Sequence, residues 1–293
     1  MKTSAILVNY NAGAELVRAL RSIADELIGR EWEAVVVDNA STDGSGSTVA
    51  EFAPRARLVV NTQNVGFARA VNQGLAGTTG HRVLIMNPDC RLVAGALSAL
   101  EAELDVDPAC GLVGPRVLNP DGSMQGSARG DPDILTGLFG RTTMLRRIFP
   151  FLEVSKRNVV VDDGAVGASQ LVDWVSGACI MAKRDALAVV DGFDEGYFLY
   201  WEDADLCRRL RNAGFVVRYV PAAAAVHRAG VSSRTAPVAS IRAFHQSAYR
   251  YYATHVAPDV FDPRRLAARA LLTARCWWQV RQSGSVRSVG GPR

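Results

Sequence analysis

Cysteine is scarce: five residues in 293, at 90, 110, 179, 207 and 276. They are odd in number, scattered and never spaced as CxxC, which counts against a disulfide framework or a thiolate zinc site and leaves buried free thiols as the expectation. Long apolar runs are missing too. AILV (5–8), AVVV (34–37) and VLIM (83–86) are bounded by polar residues, far short of the roughly 20 residues that cross a bilayer. The opening MKTSAILVNYNAG has too short an apolar stretch for a signal-peptide core and no small-residue cleavage site, so a cytoplasmic protein is expected. After the first apolar run, NYNAGAEL lacks the GxGxxG of a dinucleotide-binding dehydrogenase. It also has no basic residue before Arg18, where a nucleotidyltransferase would carry a glycine-rich basic loop.

What is present is globular. The chain is 48% hydrophobic with 26 Gly and 12 Pro, ordinary for one large α/β core or two small ones. Its net charge of +4 is unevenly spread. Residues 256–293 carry seven Arg against Asp259 and Asp262, and residues 141–157 carry Arg141, Arg146, Arg147, Lys156 and Arg157 against Glu153. The rest is net acidic, so the basic excess sits on particular surfaces that suit an anionic membrane or a pyrophosphate. No nucleic-acid partner is expected.

Short β-branched runs alternate with amphipathic ones through residue 117. The pattern predicts strands at 4–9, 33–38, 57–61, 81–87 and 111–117, and helices at 14–28, 45–52, 66–76 and 94–105. A βαβ series of this kind implies a mainly parallel central sheet flanked by helices, with ligands beyond the carboxyl ends of the strands. Those ends are polar: Asn9-Tyr10-Asn11, Asp38-Asn39, 61–64 and Asn87-Pro88-Asp89. Residues 119–170 break the alternation and read as an insertion over the site. Beyond it come a strand or strand pair in LVDWVSGACIMAKR, helices to Val190 and Ala213, a strand ending near His227, and helices at 240–255 and 264–281. The last ten residues look like a disordered tail.

Asp38 can accept hydrogen bonds from a nucleoside, but DNASTDGS would cap the next helix well, and alone that reading is favoured. Asp89, at the end of an apolar strand, can hold a hard cation that clamps a diphosphate, or simply belong to an Asn-Pro-Asp turn. FDEGYFLYWEDADLCRRL (193–210) sets Asp194, Glu195, Glu202, Asp203 and Asp205 among aromatics. A general base needs such a carboxylate, with its pKa lifted by apolar neighbours, yet the same acids favour a helix start. His227 alone after VRYVPAAAAV reads as structural.

Taken together, ILVNYN (6–11), VDNASTDGS (37–45), NVGFARAVNQG (64–74), LIMNPDCRL (84–92), VSGACIMAKRDAL (175–187), GFDEGYFLYWEDADLCRRLRNAGF (192–215) and the histidine of AVHRAG (225–230) resemble glycosyltransferase family 2. Within it the likeness is greatest to bacterial rhamnosyltransferases that act on polyprenyl-diphosphate-linked sugars. The resemblance implies the GT-A fold with a C-terminal helical extension, and an inverting, metal-dependent transfer. It implies that Asn9, Tyr10 and Asp38 hold the nucleoside, that Asn64, Arg69 and Asn72 position the donor, and that Asn87 and Asp89 form the DxD-like element with Asn in its first position. Asp203 of the Glu202-Asp203 pair would be the base, and Asp89 and His227 the ligands of Mg2+ or Mn2+. It implies dTDP-L-rhamnose as donor, with UDP-hexoses next, and a lipid-linked glycan acceptor of cell-envelope synthesis. A catalytically silent nucleotide-sugar-binding scaffold is the reading from another class.

The expected organisation is a catalytic domain over 1–257, with a nucleotide-sugar half (1–118) and an acceptor half (119–257), followed by a basic amphipathic helix and tail (258–293). In 264–282, Leu266, Ala270, Leu271, Ala274, Trp277 and Trp278 would share one side among arginines. That stripe either lies on an anionic bilayer or packs on the domain. With LRRIFPFL (145–152) it favours a peripheral protein on the inner leaflet.

Overall fold

The computed structural model describes residues 1–131, 167–228 and 237–285. LRRIFPFL (145–152), most of the expected insertion and the end of the tail lie outside them.

The N-terminal part of the chain follows the predicted alternation. Strands β1 (Thr3–Asn9), β2 (Trp32–Asp38), β3 (Ala56–Val60) and β4 (Arg82–Met86) alternate with helices α1 (Ala14–Glu26) and α2 (Phe67–Ala76), with a 3-10 segment at Ser45–Phe52. Strands β3, β2, β1 and β4 run parallel in that order. Beyond them lie β5 (Cys90–Leu92), α3 (Ala96–Val106), β6 (Cys110–Leu118), β7 (Ala128–Arg129), β8 (Gln170–Leu171), β9 (Trp174–Val175), β10 (Cys179–Lys183), α4 (Arg184–Val189), α5 (Glu202–Asn212) and β11 (Val216–His227). The chain then forms α6 (Pro237–Tyr251), a π-turn (Tyr252–Val256) and α7 (Pro263–Ser285).

The full sheet order is β3-β2-β1-β4-β10-β6-β11-β5, with β8 on β11. β10 enters antiparallel between β4 and β6, and β11 runs parallel to β6. The strands are apolar on both faces because helices cover both. Leu7, Val36 and Leu84 face α1 and α3 in one core, while Ile6, Val8, Val35, Val37 and Ile85 face α2, α5 and Phe193 in the other. This period of two divides the core between the two sides of the sheet. All five cysteines are free, with Cys90, Cys110, Cys179 and Cys207 buried.

Helix α7 lies on α6. Its inward residues are Ala268 and Leu272, each 6% exposed. The predicted stripe faces away: Leu266 is 71% exposed, Leu271 53%, Trp277 56% and Trp278 41%. Among the described residues no helix is long and apolar enough to cross a membrane.

Candidate active site

The site is built on the rim where β1, β2, β4, β6 and β11 end and β10 begins. On the nucleotide side, register pairs Asn9 with Asp38 at the ends of β1 and β2. Asn9 is fully buried, and its amide donates to Asp38 Oδ2 (2.6 Å) and to Ser45 Oγ (2.8 Å). Asp38, 5% exposed, also accepts the Ser41 N–H on Oδ1 (2.7 Å). The carboxylate is thus fixed, with lone pairs left over for a further donor. Tyr10 follows Asn9 in the chain and is half-buried.

Helix α2 and the turn before it carry the next three expected residues. Asn64 Oδ1 accepts the Gly66 N–H (3.0 Å) and so closes the turn that enters the helix. Asn72 brackets the backbone of Phe193, donating to its carbonyl (2.8 Å) and accepting its N–H (2.9 Å). Arg69 faces Glu195 at 3.6 Å. The structure therefore engages Arg69 and Asn72 with the 193–195 segment. Gly66 itself sits at φ +90°, where a Cβ would stand 2.7 Å from the Phe198 carbonyl oxygen. Only glycine lets α2 start against that segment, and the Phe67 N–H donates to the same oxygen (2.7 Å).

The cation side is assembled by strand pairing. β5 and β11 are antiparallel with Cys90 opposite His227, which carries the histidine to Asp89 across more than a hundred residues of sequence. His227 Nε2 is 3.2 Å from Asp89 Oδ1 and 3.4 Å from Asn87 Nδ2. Gln125, which the sequence did not single out, meets His227 twice: its Oε1 is 3.0 Å from Nδ1, and its Nε2 donates to the His227 carbonyl (2.8 Å). No local pattern marks this glutamine, which becomes significant only once β11 closes beside the 119–127 turn. Among the described residues no three His, Cys, Asp or Glu cluster as a metal cage. Two protein ligands fit a hard cation that takes its remaining oxygens from a diphosphate, and an imidazole nitrogen next to a carboxylate oxygen is a suitable donor pair.

Of the five carboxylates after Phe193, three are tied by cations. Asp194 binds Arg250 (2.8 Å), Glu195 faces Arg69, and buried Asp205 is clasped by Arg209 (2.6 Å) and His255 (2.7 Å). Burial would raise the Asp205 pKa, but His255 and Arg209 outweigh it and hold it low. Asp203 instead accepts backbone N–H groups, Gly177 on Oδ2 and Ala204 on Oδ1, both at 2.8 Å. Burial lifts its pKa above the ordinary carboxylate value, against those bonds and the Arg129 charge. Glu202, buried in the same turn, is pushed well up by burial and then by the Asp203 charge. Tyr200 and Trp201, directly before α5, both hold positive φ (69° and 71°). Such backbone costs energy, on the order of 1–3 kcal/mol each, and persists where packing fixes it. Here Trp201 rests on Phe244 and Tyr251, and Ser247 Oγ donates to the Leu199 carbonyl (2.9 Å).

The two sides share a rim. Gly177 donates to Asp203 while the adjacent Ala178 carbonyl accepts the Asn87 N–H (2.9 Å), so one short stretch of backbone touches both the base candidate and the cation pair. A carboxylate of raised pKa, a cation pair and a buried acceptor at the end of β2 thus line one sheet edge. The family model for glycosyl transferase family 2 matches residues 4–160 of this chain. The chain belongs to that family. It is a glycosyltransferase of the GT-A fold.

This family 2 glycosyltransferase is 32% identical to the N-acetylglucosaminyl-diphospho-decaprenol L-rhamnosyltransferase of Mycobacterium tuberculosis H37Rv, over 95% of this chain and 92% of that protein. It is 38% identical to the rhamnosyltransferase WbbL of Escherichia coli K12 over 89 residues, 30% of this chain and 34% of that one. Among solved structures, the mannosyltransferase PcManGT of Pyrobaculum calidifontis, in complex with GDP-Man and Mn2+, superposes with a TM-score of 0.59 at 21% identity, covering 99% of this chain and 76% of that one. Residues 1–349 of TarS from S. aureus give 0.55 at 18% identity, covering 97% and 74%. These likenesses carry the fold.

Proposed function

We propose that this glycosyltransferase moves L-rhamnose from dTDP-L-rhamnose to a hydroxyl of a polyprenyl-diphosphate-linked glycan, with inversion at the anomeric carbon, while docked peripherally on the inner leaflet. The sugar and lipid come from the M. tuberculosis relative, whose alignment spans nearly the whole of both chains. The observation that carries the chemistry is the shared rim on which Gly177 and Ala178 join Asp203 to Asn87.

In this mechanism Asp38, fixed by Asn9 and the Ser41 N–H, takes the nucleoside, with Tyr10 beside it. Asn64, Arg69 and Asn72 hold the α2 wall of the donor pocket. Asp203 removes the proton of the acceptor hydroxyl as that oxygen bonds to the anomeric carbon. The bond from that carbon to the diphosphate breaks, its electron pair leaving with the diphosphate, and a single displacement inverts the centre. Asp89 and His227 would hold Mg2+ or Mn2+ with the Asn87 amide beside them, and the cation would supply neutralisation of charge on the departing diphosphate. Burial and the Asp203 charge push the Glu202 pKa well up, which disfavours a second negative charge beside the base.

The test is transfer by full-length protein from dTDP-L-rhamnose to a synthetic polyprenyl-diphosphate N-acetylglucosamine, with Mn2+, with Mg2+ and with chelator. Metal-dependent rhamnosylation is expected. Turnover of a UDP-hexose in preference to dTDP-L-rhamnose would overturn the donor assignment, and undiminished transfer in chelator the metal assignment. Asp89→Ala should lose metal dependence and donor affinity together, and His227→Ala the same more mildly. An unchanged metal titration in either variant would contradict this assignment.

A further inference from the structure

Gln125 lies on the turn between β6 and β7, where its N–H donates to the Val117 carbonyl (2.8 Å). Its side-chain nitrogen is 2.8 Å from two oxygens, the His227 carbonyl and Asn119 Oδ1. Asn119 Nδ2 donates to Ser123 Oγ (2.9 Å), whose own hydrogen goes to Asp121 Oδ1 (2.6 Å), and this settles which Asn119 atom faces Gln125. Both oxygens are acceptors, so only the NH2 end of Gln125 can meet them, and Oε1 is the atom left 3.0 Å from His227 Nδ1. An amide oxygen cannot donate, so Nδ1 carries the hydrogen. In neutral imidazole Nε2 is then a bare lone pair. Nε2 lies 3.4 Å from Asn87 Nδ2, which can donate to that lone pair, and 3.2 Å from Asp89 Oδ1, whose negative charge it repels unless a positive charge lies between.

We propose that Gln125 is a positioning residue that fixes His227 as the Nδ1–H tautomer and so presents Nε2, beside Asp89, as a preset ligand for a divalent cation. The inference rests on the proposed metal role of the Asp89–His227 pair. A metal-ligating imidazole needs its free nitrogen unprotonated, and an acceptor on the opposite nitrogen supplies that condition before the ion arrives. The same glutamine fastens the 119–127 turn to β11 through the His227 carbonyl. A purely structural role would therefore depend on its NH2, whereas the positioning role depends on its oxygen.

Two variants separate these roles. Gln125→Leu removes the acceptor, and Gln125→Glu keeps an acceptor for Nδ1 while losing the NH2. The first readout is the His227 ring 15N signals of metal-free protein, assigned by their loss in His227→Asn. Wild type and Gln125→Glu should show protonated Nδ1 and bare Nε2, and Gln125→Leu a mixture of tautomers. The second is Mn2+ affinity, with and without dTDP, read by electron paramagnetic resonance. Gln125→Leu should bind about 10- to 100-fold more weakly, the usual scale for lost outer partners of a metal ligand, with Gln125→Glu within a few-fold of wild type. A wild-type ring protonated on Nε2 overturns the proposal even if neither variant folds. So does a folded Gln125→Leu that keeps both the wild-type ring signals and the wild-type Mn2+ affinity. A wild-type ring protonated on Nδ1 in protein that takes up no Mn2+ overturns the cation role instead, which tells the two failures apart.

Discussion

At the scale of the residue, the proposed function rests on two adjacent carboxyl groups whose surroundings differ. Asp203 is bonded by two backbone N–H groups, while Glu202 Oε2 is buried without a partner. Replacing Asp203 by Asn keeps the shape and removes the base. Turnover should fall about 10²- to 10⁴-fold, the scale for a lost general base, while the donor dissociation constant measured calorimetrically stays nearly unchanged. Retained turnover would take Asp203 out of this role. Because burial raises its pKa, the rate should be full above that raised value and fall as pH drops through it. The acid limb of kcat then lies above the ordinary carboxylate range. Arg129 opposes the rise, so Arg129→Leu should move the limb to higher pH, and a limb that stays or moves down contradicts the electrostatic account. Glu202 has the stability consequence. Burial holds its folded pKa well above the ordinary glutamate value. The stability of this site is therefore full below the pKa of the unfolded chain and is lost as pH rises from there through the raised folded value. Each pH unit between the two values is worth about 1.4 kcal/mol. Glu202→Gln, which never ionises, should raise the thermal midpoint at pH 8 and leave it nearly unchanged near pH 4; the reverse pattern would refute the assignment.

At the scale of the element, the site depends on how α2 is joined to the segment that leads into α5. Asn72 satisfies both polar groups of Phe193, and Gly66 abuts Phe198. Asn72→Ala strands a backbone donor and acceptor, which costs about 1–3 kcal/mol for each buried group left unpaired. Urea unfolding should show that loss, and the acceptor KM should rise as the 198–201 segment loosens. An unfolding midpoint equal to wild type would show that the clamp is idle. The sequence made most of these elements legible. Strands β1 to β4 and helices α1 to α3 fall close to the predicted spans because each is short, periodic and bounded by polar residues. Residues 45–52, expected as a helix, close as a 3-10 segment, rich in Ser and Gly that favour turns over a regular helix. Two features were not legible. β10 sits between β4 and β6 although some 60 residues separate it from β6 in the chain, and nothing in CIMAK names its neighbours. Gln125 has no periodicity or motif, and its meaning arises only from the fold that brings it to His227. Separately, Asp89 reads equally as a cation ligand or a turn residue, and His227 as a structural histidine. The family resemblance implied their pairing, but the β5–β11 register that brings it about was not legible in the local sequence.

At the scale of the whole molecule, the question is which surface would meet the proposed lipid-borne acceptor, and α7 is the candidate. The sequence left its apolar stripe two destinations, the domain or a bilayer. The structure turns Ala268 and Leu272 onto the domain and leaves Leu266, Leu271, Trp277 and Trp278 exposed. Exposed Arg264, Arg269 and Arg281 accompany them, Arg281 lying over the Trp277 ring at 3.7 Å. Tryptophan and leucine flanked by arginine suit the headgroup region of an anionic bilayer, where each basic side chain near the surface adds about 1 kcal/mol. The helix is also mechanically close to the chemistry. It packs on α6, whose Phe244 and Ser247 contact Trp201 and Leu199 just before Asp203. A bilayer holding α7 would therefore hold the base segment at a set height above the lipid. Full-length protein is expected to float with vesicles containing anionic phospholipid at low salt, to be released by high salt, and to bind neutral vesicles weakly. Truncation after Pro258 should abolish flotation while transfer to a water-soluble acceptor analogue persists, and Trp277→Ser with Trp278→Ser should weaken it without the large charge change. If full-length protein stays at the bottom of the gradient with anionic vesicles at low salt, the membrane role of α7 is wrong. If the truncated chain floats as well as the full one, the docking surface lies elsewhere on the molecule.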